Sequence, residues 1–313
     1  MSLFGSILVP HDGSALADSA LPFAAELARA TGANVELLRV LEELRPIYDT
    51  AGRQLIWIDP ANPRAEMESP DLLSEAAKRL TTAGIQAKTV VRVGDPRKEI
   101  LAEAETLDRP MILIASHGRG GLSRLVMGSV ATRVVHLAEC PVMLVKASAV
   151  DDQPERISLR RITVPLDGSE LAEKALPYAM ELAKDLGGRV HLVRVAETFR
   201  DEVTETPTHI FTSPSYKAML EQFDKLEQEA QRYLDAMATK LSSDDVDVTW
   251  EIMSGDPWRQ LLRYVERDDP DLIVMTTHGR GGLARWFYGS VSDRLLTTES
   301  TPLLVIRSAT PEE

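Results

Sequence analysis

Short apolar runs alternate along this chain with longer segments rich in alanine and leucine, and the alternation predicts strands separated by helices. Ile7-Leu8-Val9-Pro10 runs into Asp12-Gly13-Ser14, the pattern of a buried strand followed by a turn and a helix cap. Residues 16–30 have helical composition, with Pro22 early enough to introduce a slight kink and Gly32 as the stop. A second strand is predicted at 35–40, a second helix at 71–82 and a third strand at 87–93. A third helix follows Gly94-Asp95-Pro96, where aspartate suits the cap and proline the first helical position. Residues 111–115 form the fourth predicted strand, 129–139 the fourth helix and 142–145 the fifth strand. Such alternation implies right-handed crossovers and an α/β, doubly wound parallel sheet of five strands that binds ligands beyond the carboxyl ends of its strands. Asp12, Val40 and the loop from Ser116 all fall at such ends, so they can meet in one crevice although far apart in sequence.

The whole pattern occurs twice. An offset of 155 residues carries Pro10 to Pro165, Asp12 to Asp167 and Val40 to Val195, and an offset of 161 carries Gly94-Asp95-Pro96 to Gly255-Asp256-Pro257. The six additional residues of the second copy lie between those points. The 313-residue length accommodates two domains with cores of their own, and the small, polar and charged stretch 147–156 reads as the linker, which divides the chain into domains 1–150 and 151–313. Two stretches depart from the plain repeat. Tyr216, Met219, Phe223, Leu226, Ala230, Tyr233 and Met237 recur at helical spacing, expected as one long amphipathic helix whose stripe packs on the core rather than on a partner coiled coil. Residues 42–69 make a long connection beside the second strand end, either a cover over that end or an ordinary surface insertion.

Composition narrows the setting. The chain is 44% hydrophobic, contains no apolar stretch long enough to cross a bilayer and begins without the pattern of a secretory signal, so a cytoplasmic location is expected. A net charge of −13 argues against nucleic acid or anionic membrane as partner. Cys140 is the sole cysteine and its counterpart is Thr301, which excludes an intrachain disulfide and points to packing. Against this acidic background Arg119, Arg124 and Arg133 recur as Arg280, Arg285 and Arg294, keeping local positive charge beside duplicated glycines.

Those glycines carry the candidate chemistry. Gly118 and Gly120, like Gly279 and Gly281, let backbone N–H groups approach an anion closely. Gly128-Ser129-Val130 and Gly289-Ser290-Val291 each open a helix-like segment whose unpaired N–H groups and positive dipole end favour a second anionic group. No G-x-x-x-x-G-K-[ST] loop is present, and Ser123 stands where a dinucleotide fingerprint requires its last glycine. His117 and His278 precede the first glycines without a second metal-ligating side chain nearby in sequence, which reads as a turn histidine rather than a catalytic one.

The spacing Gly118, nine residues, Gly128-Ser129, after a first strand ending in Asp12, resembles the ATP-binding universal stress proteins in tandem form, and the resemblance spans both halves. It implies a Rossmann-like, adenine-nucleotide alpha-hydrolase-like fold in each half. It further implies that Pro10, Asp12 and Val40 meet the adenosine moiety and that Gly118, Arg119, Gly120, Gly128, Ser129 and Val130 surround ribose and phosphates, with Pro165, Asp167, Val195, Gly279, Arg280, Gly281, Gly289, Ser290 and Val291 as the second set. A capping role for Asp12 and Asp167 and a packing role for Val40 and Val195 stay open beside this. The family's leading loop glycine is Ala115 here and the β-branched Thr276 in the second half, Leu166 replaces His11, and Trp286-Phe287-Tyr288 replaces Leu125-Val126-Met127. These changes lead us to expect the first site to bind at least as tightly as the second. The function implied is an ATP-binding stress-response or signalling module without efficient catalysis, with Mg2+ as an open companion of the nucleotide. A slow ATP hydrolase or adenylating enzyme of the same architecture, and an interaction module with vestigial sites, are the alternatives. The resemblance also implies an internal pseudo-dimer of the two domains, with further homodimerisation and a protein partner left open.

Overall fold

Leucine, isoleucine and valine runs with scarcely a polar side chain form the centre of each sheet, because a parallel strand covered by helices on both faces has no solvent side to offer. The computed structural model describes residues 3–42, 47–48, 54–56, 63–117, 128–147, 157–196, 214–278, 295 and 301–308. The chain divides into two units, Met1–Ile157 and Ser158–Glu313.

In the first unit β1 (Ser6–Pro10) leads through α1 (Ala15–Asp18) and α2 (Leu21–Thr31) to β2 (Asn34–Leu41). A short antiparallel pair, β3 (Ile47–Tyr48) and β4 (Gln54–Ile56), precedes α3 (Pro63–Thr82). Then come β5 (Ala87–Val93), α4 (Pro96–Glu105), β6 (Pro110–His117), α5 (Ser129–Leu137) and β7 (Val142–Ala147). The five main strands are parallel in the order β5-β2-β1-β6-β7. Ile7, Leu8, Leu37, Ile112, Leu113 and Leu144 are wholly or almost wholly shielded from solvent, each such side chain contributing about 1.5–3 kcal/mol of hydrophobic stabilisation.

The second unit repeats the plan: β8 (Arg161–Pro165), α6 (Glu170–Glu173), α7 (Leu176–Leu186), β9 (Arg189–Ala196), α8 (Pro214–Leu241), β10 (Asp247–Ser254), α9 (Pro257–Asp268), β11 (Leu272–His278) and β12 (Leu303–Ser308). Its parallel order is β10-β9-β8-β11-β12. The α/β class and the doubly wound parallel sheets read from the sequence are therefore those of the molecule. No helix among the described residues is long and apolar enough to cross a membrane.

Local differences from the sequence reading have physical causes. The helix expected over 16–30 is two helices, separated at residues 19–20, where Ser19 N–H and Ala20 N–H donate to the carbonyls three residues back and Ser19 Oγ donates to Leu16 O at 2.6 Å. Pro22 then sits in the first turn of α2, where a missing N–H costs nothing. The break replaces the slight kink. The helix expected at 71–82 begins at Pro63. In α8 the buried face is Phe223, Ala230, Leu234 and Ala238, whereas Leu226, placed in the stripe by its spacing, is 40% exposed. The helix packs on β9 and β10, and the line of that contact selects Leu234 instead. The expected punctuation holds elsewhere: Gly32 ends α2 at φ 72°, and Asp95 and Asp256 cap α4 and α9 by accepting from Arg97 N–H and Arg259 N–H.

One carboxylate ties the entrance of β8 to that of β11. Asp271 Oδ2 accepts from Ser158 Oγ and the backbone N–H groups of Arg160 and Arg161, while Oδ1 accepts from the Arg161 guanidinium at 2.7 and 2.9 Å. Burial alone would raise the Asp271 carboxyl, but the hydrogen bonds from Arg161 and Ser158 outweigh it and hold it below its ordinary value. Its contribution is thus present above the ordinary aspartate range and is lost as pH falls through the lowered folded value. Asp271→Ala is expected to destabilise the second unit by about 2–3 kcal/mol, because several donors lose a shared charged acceptor. Urea unfolding of the full chain checks this; an unchanged midpoint for the second unit would refute it.

Candidate functional site

The sheet order separates the two directions of winding between β1 and β6 in the first unit and between β8 and β11 in the second, so a crevice opens at the carboxyl ends of these neighbouring strands. In the first unit Pro10 closes β1 and His11 N–H donates to Leu38 O at 2.8 Å, carrying the chain out over β2. Asp12 follows at the mouth. Val40 lies near the carboxyl end of β2, half-buried, and Ser116 near that of β6, fully buried. A helix joining parallel neighbours must start at the carboxyl edge, so α5 opens there with Gly128 as its N-cap, and no side chain caps it.

Asp12 is not the helix cap. Ser14 caps α1 by accepting from Ala17 N–H at 3.1 Å, and Ser14 in turn donates to Asp12 Oδ1 through its N–H at 3.0 Å and its hydroxyl at 2.5 Å. Burial would raise the Asp12 carboxyl, yet the two Ser14 hydrogen bonds, with the nearby Arg39 guanidinium and His11, hold it below its ordinary value. Aspartate is therefore oriented and charged at the crevice mouth. The intervening Gly13 has φ 81°, and a Cβ there would come within 2.8 Å of Leu72 Cδ1, so the turn needs glycine for both conformation and space.

His11 stands beside this turn, buried. Its Nδ1 accepts from Gly13 N–H at 3.2 Å, so Nε2 carries the proton donated to Asp18 Oδ1 at 3.1 Å. Asp18 also pairs with Arg79 of α3 at 2.7 Å, which links the end of α1 directly to α3, while His11 binds the same carboxylate. Burial lowers the His11 pKa, and the hydrogen bond and charge of Asp18 only partly oppose it.

The second crevice has the same skeleton and different fittings. Asp167 Oδ1 accepts from Ser169 N–H at 2.8 Å, and Ser169 caps α6. Pro165 closes β8 and the half-buried Val195 lies near the end of β9. Leu166, buried, takes the place of His11. Thr276 Oγ1 donates to Leu171 O at 2.9 Å, so its extra bulk is spent fastening β11 to α6.

The structure thus gathers Pro10, Asp12, Val40, Gly128, Ser129 and Val130 on the carboxyl edge of the first sheet, and Pro165, Asp167 and Val195 on that of the second. Gly118, Arg119, Gly120, Gly279, Arg280, Gly281, Gly289, Ser290 and Val291 lie outside the described residues. His117 and His278 end β6 and β11. Arg39 and Arg194 were missed as crevice residues. Their repetition at the same offset as the aspartates was the available signal. Burial pushes the Cys140 thiol up to about 11, which keeps it protonated and inert. Among the described residues no group of three His, Cys, Asp or Glu side chains could hold a metal ion. A surface hollow of about 140 Å3 is flanked by α1, α2 and α3, and the Arg79–Asp18 and Arg29–Glu26 pairs lie within its lining.

Comparison with known proteins adds the family to this geometry. The sequence model of the universal stress protein family matches residues 4–146 and 158–307. A universal stress protein of Mycobacterium tuberculosis is 27% identical over 311 residues, covering 97% of both chains. One from Bacillus subtilis is 31% identical over 150 residues, 46% of this chain and 100% of its own. The crystal structure of a universal stress protein from Archaeoglobus fulgidus shares the fold with a TM-score of 0.71 at 21% identity, covering 97% of this chain and 98% of its own.

A neutral, buried His11 makes stability depend on pH. The unfolded chain takes up a proton near 6.5 that the folded first unit refuses, so the His11 contribution is complete above that pH and declines as pH falls toward the lower folded value. His191, also lowered by burial, acts in the same direction in the second unit. His11→Leu, the residue found at the equivalent position 166, should therefore reduce the loss of melting temperature between about pH 7.5 and about pH 5.5. Thermal melts at the two pH values measure it, and equal losses in the wild type and His11→Leu would exclude His11 as the source.

Proposed function

The chain belongs to the universal stress protein family, and on that premise we propose that it binds ATP in the first crevice and acts as a nucleotide-dependent stress-response module rather than as an efficient catalyst. The observation that carries this reading is the start of α5. Gly128 and Ser129 open a nine-residue helix with no side-chain cap, at the sheet edge where the strand order forms a crevice. Among the described residues a Cβ on Gly128 would meet no atom within 4 Å, which leaves the helix N-terminus accessible from their side to a phosphate group. Ser129 adds a hydroxyl donor on an exposed side chain.

In this reading Pro10, Asp12 and Val40 line the adenosine end. Gly118, Arg119, Gly120, Gly128, Ser129 and Val130 serve the ribose and phosphates, with Mg2+ accompanying the nucleotide as its ordinary counter-ion. The titratable groups at the mouth are engaged in holding the turn, Asp12 with Ser14 and His11 with Gly13 and Asp18, which favours binding over proton transfer. Domains 1–150 and 151–313 each carry one such site. The second, with Thr276 at the loop entrance, binds no more tightly than the first.

Mass analysis of nucleotide released from the denatured, freshly purified full chain should find ATP, and turnover measured on the same preparation separates a binding module from a hydrolase. Gly128→Val, whose side chain meets no atom within 4 Å at its Cβ among the described residues, should reduce the ATP carried per chain by closing the first crevice, with a melting curve to establish that the variant folds. Undiminished ATP in that variant would refute the assignment.

A further inference from the structure

The residue preceding Val40 and Val195 is an arginine in both units, and the two arginines are used differently. Arg194 lies across the Gly168 turn, its two terminal nitrogens 3.0 Å from where a Cβ on Gly168 would stand. Tyr233 of α8 supports the guanidinium, with Cζ 4.8 Å from the ring centroid, and the Tyr233 hydroxyl donates to Glu173 Oε1 at 2.9 Å. Arg194 is therefore held in place by the protein itself. In the first unit the position equivalent to Tyr233, at the 161-residue offset, is Leu72, and that leucine covers the Gly13 turn. Arg39 has no such aromatic support at this position. Its Nε is buried and has no hydrogen-bond partner among the described residues. A buried donor without a partner is costly, and an incoming acceptor would relieve that cost.

The position of Arg39 says which part of a nucleotide could supply that acceptor. β2 lies on the opposite side of β1 from β6, and the phosphate-binding start of α5 follows β6. Two strand spacings, roughly 10 Å, separate β2 from β6. Arg39 lies instead on β2, the strand paired with β1, which Asp12 directly follows, and its charge acts on both Asp12 and His11. A carboxylate and a guanidinium together offer an acceptor and a donor, suited to a heterocycle or sugar edge that bears both.

We propose that Arg39 is a ligand-contacting residue of the first crevice, donating to a base nitrogen or ribose oxygen at the adenosine end of a bound nucleotide, whereas Arg194 is retained by Tyr233 as part of the second crevice wall. This rests on the nucleotide reading given above. It adds a specific residue and a difference between the units that follows from one position, Leu72 against Tyr233.

Isothermal titration of the full chain with ATP and, separately, with adenosine tests the assignment in the wild type, Arg39→Met, Arg39→Lys and Arg194→Met, with melting curves to establish folding. Arg39→Met should weaken the first site about tenfold for both ligands, the loss of one hydrogen bond from a charged donor. Arg39→Lys keeps the charge and removes the planar donor fork, so it should also weaken both, which preserves the test if the methionine variant does not fold. Arg194→Met, in the other unit, should leave the affinity of the first site within about threefold of the wild type. Unchanged affinity in a folded Arg39 variant overturns the proposal. A loss for ATP with none for adenosine places the guanidinium at the phosphates and overturns it too. Both results leave nucleotide binding standing, while a wild type that binds neither ligand removes that reading and this proposal with it.

Discussion

A parallel sheet buried on both faces cannot be closed by hairpins, so every connection in it must cross over and return to the starting edge. All strand ends of one polarity then lie along one edge. In both units the first and fourth main strands are neighbours, and their connections leave in opposite directions, which opens a crevice at that edge. Asp12 and Asp167 stand at its mouth because each follows the first strand directly. The helices cannot be moved without losing the core, and neither can the residues that the strand ends present.

Within that constraint the units have exchanged the side chains that fasten the helix after the first strand to the helix after the second. In the first unit Asp18 accepts from the buried His11 imidazole and forms an ion pair with Arg79. In the second, Glu173 accepts from the Tyr233 hydroxyl, and the tyrosine ring supports Arg194. Burial and the carboxylate together raise the Tyr233 pKa, so its hydroxyl remains a donor at physiological pH. The first arrangement contains a buried imidazole whose pKa burial lowers and the second does not, although both join the same pair of elements. Thr276 adds a further fastening, to Leu171 of α6, that Ala115 cannot make.

These exchanges alter how each crevice is lined without altering its skeleton. Both aspartates accept from the serine two residues on, and both glycine turns keep positive φ, at 81° and 89°. The group lying against the glycine is aliphatic in one unit and a guanidinium in the other. The molecule as a whole is strongly acidic, yet among the described residues the charge at the first mouth is set locally, with the Arg39 guanidinium acting on the Asp12 carboxylate. Net charge therefore speaks to partners at a distance and says little about the site.

The sequence by itself determined the duplication, the strand runs, the helix stops and the presence of Asp12, Val40, Gly128 and Ser129 near strand and helix ends, because all of these depend on local composition, on period or on a fixed offset. It did not determine the break at residues 19–20, since hydrogen bonds to carbonyls three residues back compete closely with helical ones ahead of a proline. Nor did helical spacing decide that Leu234 faces the core and Leu226 the solvent: a periodic stripe identifies a face to within a turn, and the strands it meets choose the contact line. That Ser14 and not Asp12 caps α1 was decided by where the Ser14 hydroxyl went. The different fates of Arg39 and Arg194 were decided across long sequence separations, by a leucine or a tyrosine arriving from the next helix over, and such contacts exist only once the chain has closed on itself.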